Sequence, residues 1–311
     1  MISKTRHAAA VGAALLVFAA AAAALMTHVS ASPSSSRPLS LSRSENREYK
    51  VEAKEEIRKS FPAAEPGRPM ELFIDNIFGG IDVRSADVAA VEVSIRKTIK
   101  AESQDRLAKA KAEVDLKITH KGNSVDLFVD GPFRDEERKR RAARWNDPGY
   151  IVVYEFTVKV PRRTRLGLKT VTDGDVAVRG VEGGFDVSNV NGKVTLEGLA
   201  GAGKADTVNG DLRAAFVRNP GADCAFKTVN GDVDLTFRDG LAADFRLKSM
   251  MGEALSDFAM IGLPDEPLRR EQREGRTIFR REGFTGMRVG RGGPVVRCET
   301  LNGDILIRKS K

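Results

Sequence analysis

Hydrophobic positions along this chain fall into short runs of period two, and one phrase punctuates them: apolar, Asn, Gly, Asp, apolar, any residue, apolar. It reads Val208-Asn209-Gly210-Asp211-Leu212, Val229-Asn230-Gly231-Asp232-Val233 and Leu301-Asn302-Gly303-Asp304-Ile305. With glycine as anchor, clear copies stand at Gly192, Gly210, Gly231 and Gly303. Degenerate copies stand at Gly79, Gly174 and Gly252. From Gly174 to Gly252 the spacings are 18, 18, 21 and 21 residues. Two positions after the glycine come Ile81, Val176, Val194, Leu212, Val233 and Ile305, and two further on come Val83, Val178, Leu196, Leu235 and Ile307. Such alternation marks strands with one buried face. Asn and Gly tolerate positive φ, so Asn191-Gly192, Asn209-Gly210, Asn230-Gly231 and Asn302-Gly303 are places where the backbone turns.

Two architectures use such a phrase. In a hairpin-built sheet Asn-Gly is the turn between paired strands, and turns come every ~8–12 residues. In a β-solenoid each repeat is one coil, and its corner stacks on the next. The longer period favours the solenoid. Weaker second corners lie between the phrases, at Gly183-Gly184, Gly201 to Gly203 and Pro220-Gly221. The expected fold class is therefore mostly β: a β-solenoid stack of 18–21-residue coils, with an inserted antiparallel β segment and one or two short helices.

The stretches Thr228–Leu235 and Gly292–Ile305 resemble the bacterial putative-adhesin family of β-strand-repeat proteins. So does Ser60-Phe-Pro-Ala with Pro69-Met-Glu-Leu-Phe-Ile-Asp-Asn-Ile-Phe-Gly-Gly-Ile-Asp-Val83, which is similar to that family's first coil. The resemblance covers about Glu55 to Arg308 and implies an exported β-repeat domain with no established catalysis. The chain departs from the pattern at Phe78, Asp173 and Met251, where the Asn is missing, and at Ala254 and Ser256, where core positions shrink.

In chain order, residues 1–31 read as a signal peptide or an N-terminal anchor. Lys4, Arg6 and His7 precede the apolar run Ala8–Met26, and Val29-Ser30-Ala31 is a small-residue cleavage signal. The run is long enough to span a bilayer if it is not cleaved. Residues 32–48 read as a disordered, Ser- and Pro-bearing spacer, and 49–311 as the β-repeat domain. An insert at about 87–160 interrupts the repeat. It carries alternating strands around Val91, Val114 and Val125, and a long one from Val152 to Val160. Ser103–Ala112 reads as a short helix. Arg134–Arg144 is a charge run that reads as a solvated helical loop or a contact for phosphate-bearing envelope polymer, with Trp145 anchoring it. Leu263–Arg281 breaks the register and reads as a loop or helical excursion.

Composition narrows the chemistry. The chain has 51 Lys and Arg against 43 Asp and Glu, for a net charge of +8. Its basic residues are scattered and aromatics are few, so no nucleic-acid partner is expected. Cys224 and Cys298 share the parity of core positions and are expected to be buried free thiols, their coils too far apart for a bridge. Of three His, only His120 lies in the repeat domain, so neither a catalytic triad nor a His/Cys zinc site has local support. No cofactor is expected. Asp175, Asp211, Asp232 and Asp304 each follow the corner glycine. They read as corner-holding side chains or, more sharply, as a Ca²⁺-binding column that Lys193 interrupts.

The sequence therefore points to an exported, non-enzymatic, adhesin-like scaffold of the cell envelope, in the periplasm or at the cell surface, binding a surface, polymer or protein partner. It would touch the membrane only through Ala8–Met26 if that run is retained, as in a membrane-anchored accessory of an envelope-stress system. The alternative from another class is a β-helix carbohydrate-active enzyme.

Overall fold

The computed structural model of the protein describes residues 48–134, 148–264, 269–273, 276–280 and 283–310. The chain separates into residues 1–47 and 48–311. The export segment, most of the spacer, the charge run beyond Arg134, and Trp145 lie outside the described residues. No helix among the described residues is long and apolar enough to cross a membrane.

The protein is mostly β. It begins with β1 (Val51–Pro62), β2 (Glu71–Asp75), β3 (Ile81–Ala86), β4 (Ala90–Ala101), helix α1 (Gln104–Glu113), β5 (Asp115–Lys121), β6 (Ser124–Asp130), a 3-10 turn (Pro132–Arg134) and β7 (Tyr150–Pro161). The repeats supply β8 (Arg165–Lys169), β9 (Val176–Arg179), β10 (Phe185–Ser188), β11 (Val194–Leu199), β12 (Gly203–Asp206), β13 (Leu212–Phe216), β14 (Cys224–Lys227), β15 (Val233–Phe237), β16 (Ala243–Ser249) and β17 (Ala254–Ser256). The chain ends with β18 (Met260–Gly262), β19 (Arg269–Arg273), β20 (Arg276–Arg280), β21 (Thr285–Val289), β22 (Val295–Thr300) and β23 (Ile305–Lys309).

Two large mixed sheets result. The first runs β1-β4-β7-β3-β9-β11-β13-β15-β23-β17, and the second runs β18-β21-β16-β22-β14-β12-β10-β8-β2-β6-β5. Each Asn-Gly phrase carries the chain from a strand of the second sheet to one of the first, so the flanking strands do not pair and the hairpin-built reading fails. Strands from successive repeats pair in parallel and in register: Val176, Val194, Leu212, Val233 and Ile305 form one continuous row. The inward rows of both sheets make one apolar core.

The sheets are also partly antiparallel. The insert extends the first sheet through β7, β4 and β1, and the second through the β5–β6 pair. It leaves β3 directly beside β9, so the first repeat stacks on the next one along despite the intervening residues. Ser103 caps α1, its Oγ accepting from Arg106 N at 3.3 Å. Asp105 in the first turn and Lys111 in the last suit the helix dipole.

Three expectations need correction. β23 lies between β15 and β17, so the Gly252 repeat stacks on Gly303 and not on Gly231. The excursion at 263–281 contains the antiparallel hairpin β19–β20, not a helix. Ala254 and Ser256 are exposed on the terminal strand, not shrunken core positions.

Candidate functional site

The corner phrase folds into a column. A Cβ placed on Gly174, Gly192, Gly210, Gly231, Gly303 or Gly252 would strike the backbone of Gly79, Gly174, Gly192, Gly210, Gly231 or Gly303, respectively. The clear copies have φ between 145° and 155°. At the degenerate Gly174 rung, Asp173 takes the positive φ instead, at 53°, and close approach alone demands glycine at Gly174.

Each Asn and Asp of the phrase has a partner on a neighbouring rung. Asn209 Nδ2 donates to Asn191 Oδ1 at 2.8 Å, Asn230 to Asn209 at 2.7 Å, and Asn302 to Asn230 at 2.6 Å. The four predicted Asp residues do line one edge. Asp175 Oδ1 accepts from Lys193 N at 2.7 Å and Asp211 Oδ1 from Asp232 N at 3.3 Å. Asp232 Oδ1 accepts from Asp304 N at 2.8 Å and Asp304 Oδ1 from Glu253 N at 2.9 Å. One oxygen of each carboxylate is thus committed to a backbone N–H. Among the described residues, no group of three or more His, Cys, Asp and Glu side chains is placed to hold a metal ion.

A third ladder was missed. Thr207, Thr228 and Thr300, three residues before the glycine, are buried, and their Oγ1 atoms donate to the carbonyls of Gly192, Gly210 and Gly231 at 2.9–3.0 Å. Asn189 and Ser249 fill the same place and bond Gly174 O and Gly303 O. The signal was present as a small polar residue at a fixed offset in five copies.

The outer face of the second sheet is charged in register. One row reads Asp75, Lys169, Ser188, Asp206, Lys227, Glu299, Lys248 across seven strands. Lys227 and Lys248 flank Glu299 at 3.3 and 3.4 Å, and Ser188 Oγ donates to Asp206 Oδ2 at 2.9 Å. Burial pushes the Asp206 pKa up, and the nearby Asp186 charge adds to the shift. Beside this row lies a trough of about 740 Å³. Its lining joins the small residues Gly184, Ala202, Gly203 and Ala225 and the apolar Phe185, Cys224 and Val295 to the cations Arg165, Lys204 and Arg297. The lining acids are engaged: Asp186 pairs with Lys204 at 3.2 Å, and Asp223 Oδ1 accepts from Val295 N at 2.8 Å.

Other predicted residues are placed plainly. His120 is exposed on β5, and its ring meets Phe61 edge-on at 5.4 Å. Arg134 is pinned to Asp75 Oδ1 at 2.9 Å and lies over the Phe128 ring at 4.0 Å. Cys224 and Cys298 are free and buried. They are not several coils apart, because β22 inserts beside β14 and brings Cys298 opposite Phe226, two residues along from Cys224.

No family model matches the chain, and no curated relative matches it. Among solved structures, it is similar to a putative cell adhesion protein from Clostridium sporogenes, with a TM-score of 0.41 and 10% identity over 83% of this chain and 100% of that one. A putative adhesin from Bacteroides fragilis gives a TM-score of 0.36 at 10% identity over 83% and 98% of the two chains. Likeness at this level carries no argument about what the chain does.

Proposed function

We propose that the chain is an exported, non-catalytic β-solenoid scaffold, adhesin-like in role, that binds a polymer bearing acidic groups across the outer face of its second sheet. The observation that carries this reading is the trough. Small lining residues, Gly184, Ala202, Gly203 and Ala225, let a chain molecule approach the backbone, and Arg165, Lys204 and Arg297 share the lining. The lining carries three cations against two acids, with Lys204 already paired to Asp186 and Asp223 accepting from Val295 N, and the net charge of +8 favours an acidic partner. The corner ladders support a rigid role, because their side chains bind one another. Export rests on the first 31 residues alone.

The test is retention of the pure mature chain on immobilised acidic polysaccharide. Salt-sensitive retention, weakened by Lys204→Ala and Arg165→Ala, is the expected result. Salt-independent or absent retention removes the reading, and turnover of the polysaccharide replaces it with an enzyme. Mass spectrometry of the mature N-terminus tests export: a first residue near Ser32 is expected, and an intact Met1 in exported material points to an anchor.

A further inference from the structure

The inward face of β4 is apolar except at one place. Its row reads Val91, Val93, Ile95, Lys97, Ile99, Ala101, all buried. Lys97 stands where alternation asks for Val or Ile, and it is only 9% exposed. In register it faces Glu55 on β1 and Tyr154 on β7, so one polar rung crosses an apolar surface. Lys97 Nζ lies 5.4 Å from the centre of the Tyr154 ring. It donates to Val114 O at 3.5 Å, the limit of a hydrogen bond. The Tyr154 hydroxyl is buried without a hydrogen-bond partner. An ammonium withdrawn from water is unfavourable unless charge or several acceptors compensate it.

Beside this rung lies a cavity of about 270 Å³, lined by Ala53, Lys54, Glu55, Lys97, Ile99 and Lys111. Ala53 and Ile99 flank the polar rung on its own face, and α1 contributes Lys111. Lys54 belongs to the other face of β1, where it pairs with Glu52 at 3.1 Å. The cavity therefore has two cations, Lys97 and Lys111, against one acid, Glu55. Asp115, next to the helix, is a further acid near the rung. Its charge and that of Glu55 add to burial in pushing the Tyr154 hydroxyl pKa up, so this group remains a donor.

We infer that this cavity binds one small oxyanion, a carboxylate group, with Lys97 Nζ as its buried partner and Lys111 at its mouth. With Asp115 near the rung the local charges balance, so the site takes at most a single negative charge. A volume of about 270 Å³ has room for one small carboxylate. The inference does not depend on polymer binding at the trough, which lies on the other sheet.

The experiment titrates the full chain with sodium acetate, glucuronate and, as control, chloride at equal ionic strength. Melting temperature and calorimetry are the readouts. Saturable stabilisation by acetate and not by chloride is expected. A matching response to glucuronate assigns the carboxylate to a sugar acid, and a response to acetate alone assigns it to a free small anion. Lys97→Met should weaken the binding at least tenfold, Lys111→Ala at the exposed mouth several-fold, and Glu55→Gln should tighten it. If Lys97→Met fails to fold, the other two variants decide. The inference is overturned if no carboxylate gives a saturable response, or if Lys97→Met or Lys111→Ala binds like the parent. It also falls if Glu55→Gln destabilises the chain and leaves the anion response unchanged, because Glu55 and Lys97 would then be a structural pair. Lys204→Ala should leave this response intact, which keeps the two sites distinguishable.

Discussion

Gly231→Ala tests whether the corner column holds the fold. Gly231 has φ 148°, and a Cβ there would lie 2.6 Å from the carbonyl carbon of Gly210 and 3.0 Å from Asp211 N. Neither rung can yield freely, since Gly231 N donates to Asn302 O and Gly210 N to Asn230 O, both at 2.9 Å. Holding a non-glycine residue in a sparsely populated backbone region costs about 1–3 kcal/mol. Forcing packed atoms apart adds about 1–3 kcal/mol. The expected loss is then about 4 kcal/mol, against a whole-domain stability on the order of 5–15 kcal/mol. Gly240 is the control: its φ is 75°, and nothing lies within 4 Å of its added Cβ. Gly240→Ala should therefore cost only the backbone term, about 1–2 kcal/mol. Urea unfolding followed by circular dichroism measures both, and thermal midpoints should fall by ~2–4 °C per kcal/mol. Equal losses in the two variants, or a Gly231→Ala loss under about 1 kcal/mol, would refute the reasoning, because the clash with the Gly210 rung is what should make Gly231 the costlier site.

Further expectations concern the ladders, the thiols, a buried acid and the last strands. Asn230 makes two ladder bonds and Asn302 one, so Asn230→Ala should cost about 1–2 kcal/mol and Asn302→Ala about half of that; equal losses by urea unfolding count against a shared ladder. Burial pushes the thiol pKa values of Cys224 and Cys298 up, so neither should react with a disulfide reagent until denaturant is added; rapid labelling of the native chain contradicts this. The Asp206 pKa is raised in the folded state, so that state holds the proton more tightly, and stability falls as pH rises from the ordinary carboxylate value through the raised one. Asp206→Asn keeps an acceptor for Ser188 and should be more stable than the parent at neutral pH. The gap should close in acid, and a gap that widens in acid reverses the sign. Removing residues 291–311 takes away β22 and β23. Limited proteolysis should then cut within 238–290 while 48–237 persists, and uniform resistance would show that β16 and β17 need no such partner.

Much of the corner was legible because its constraints are local. Glycine at a fixed offset marks both the turn and the close approach, and the Asn and Asp beside it face rungs 18 or 21 residues away. Helix α1 was legible from its charged, Ala-rich run of good helix formers. The threonine ladder was equally regular but passed unnoticed, because a Thr beside an apolar run reads as ordinary strand composition. Lys97 was hidden in the same way: the alternation of β4 looked complete at Ile95, and nothing local shows that the lysine two residues on is buried. Side chains that act across sheets have no sequence neighbour to betray them. The trough is such a case, since its cations come from β8, β12 and β22.

The order of the last strands shows where spacing stops being informative. Equal intervals at Gly231 and Gly252 suggest that those rungs touch, yet Gly303 stands between them. The chemistry of each rung explains the choice. Asn302 continues the amide ladder from Asn230, and Asp304 N meets Asp232 Oδ1 at 2.8 Å. Ile305 and Ile307 continue the apolar row of Val233 and Leu235. Met251, in the Asn position, can neither accept nor donate as an amide does, so that rung stacks only where the ladder has ended. The two ends of the sheets differ accordingly. β1 closes one edge with exposed Glu52, Lys54, Glu56, Arg58 and Lys59, charges that oppose pairing with another chain. The rung that begins at Met251 needs only β23 beneath it, and it leaves Met250, Met251 and Leu255 exposed. Register is thus decided by which polar side chain can meet which, and the interval along the chain sets only how far the backbone must travel to get there.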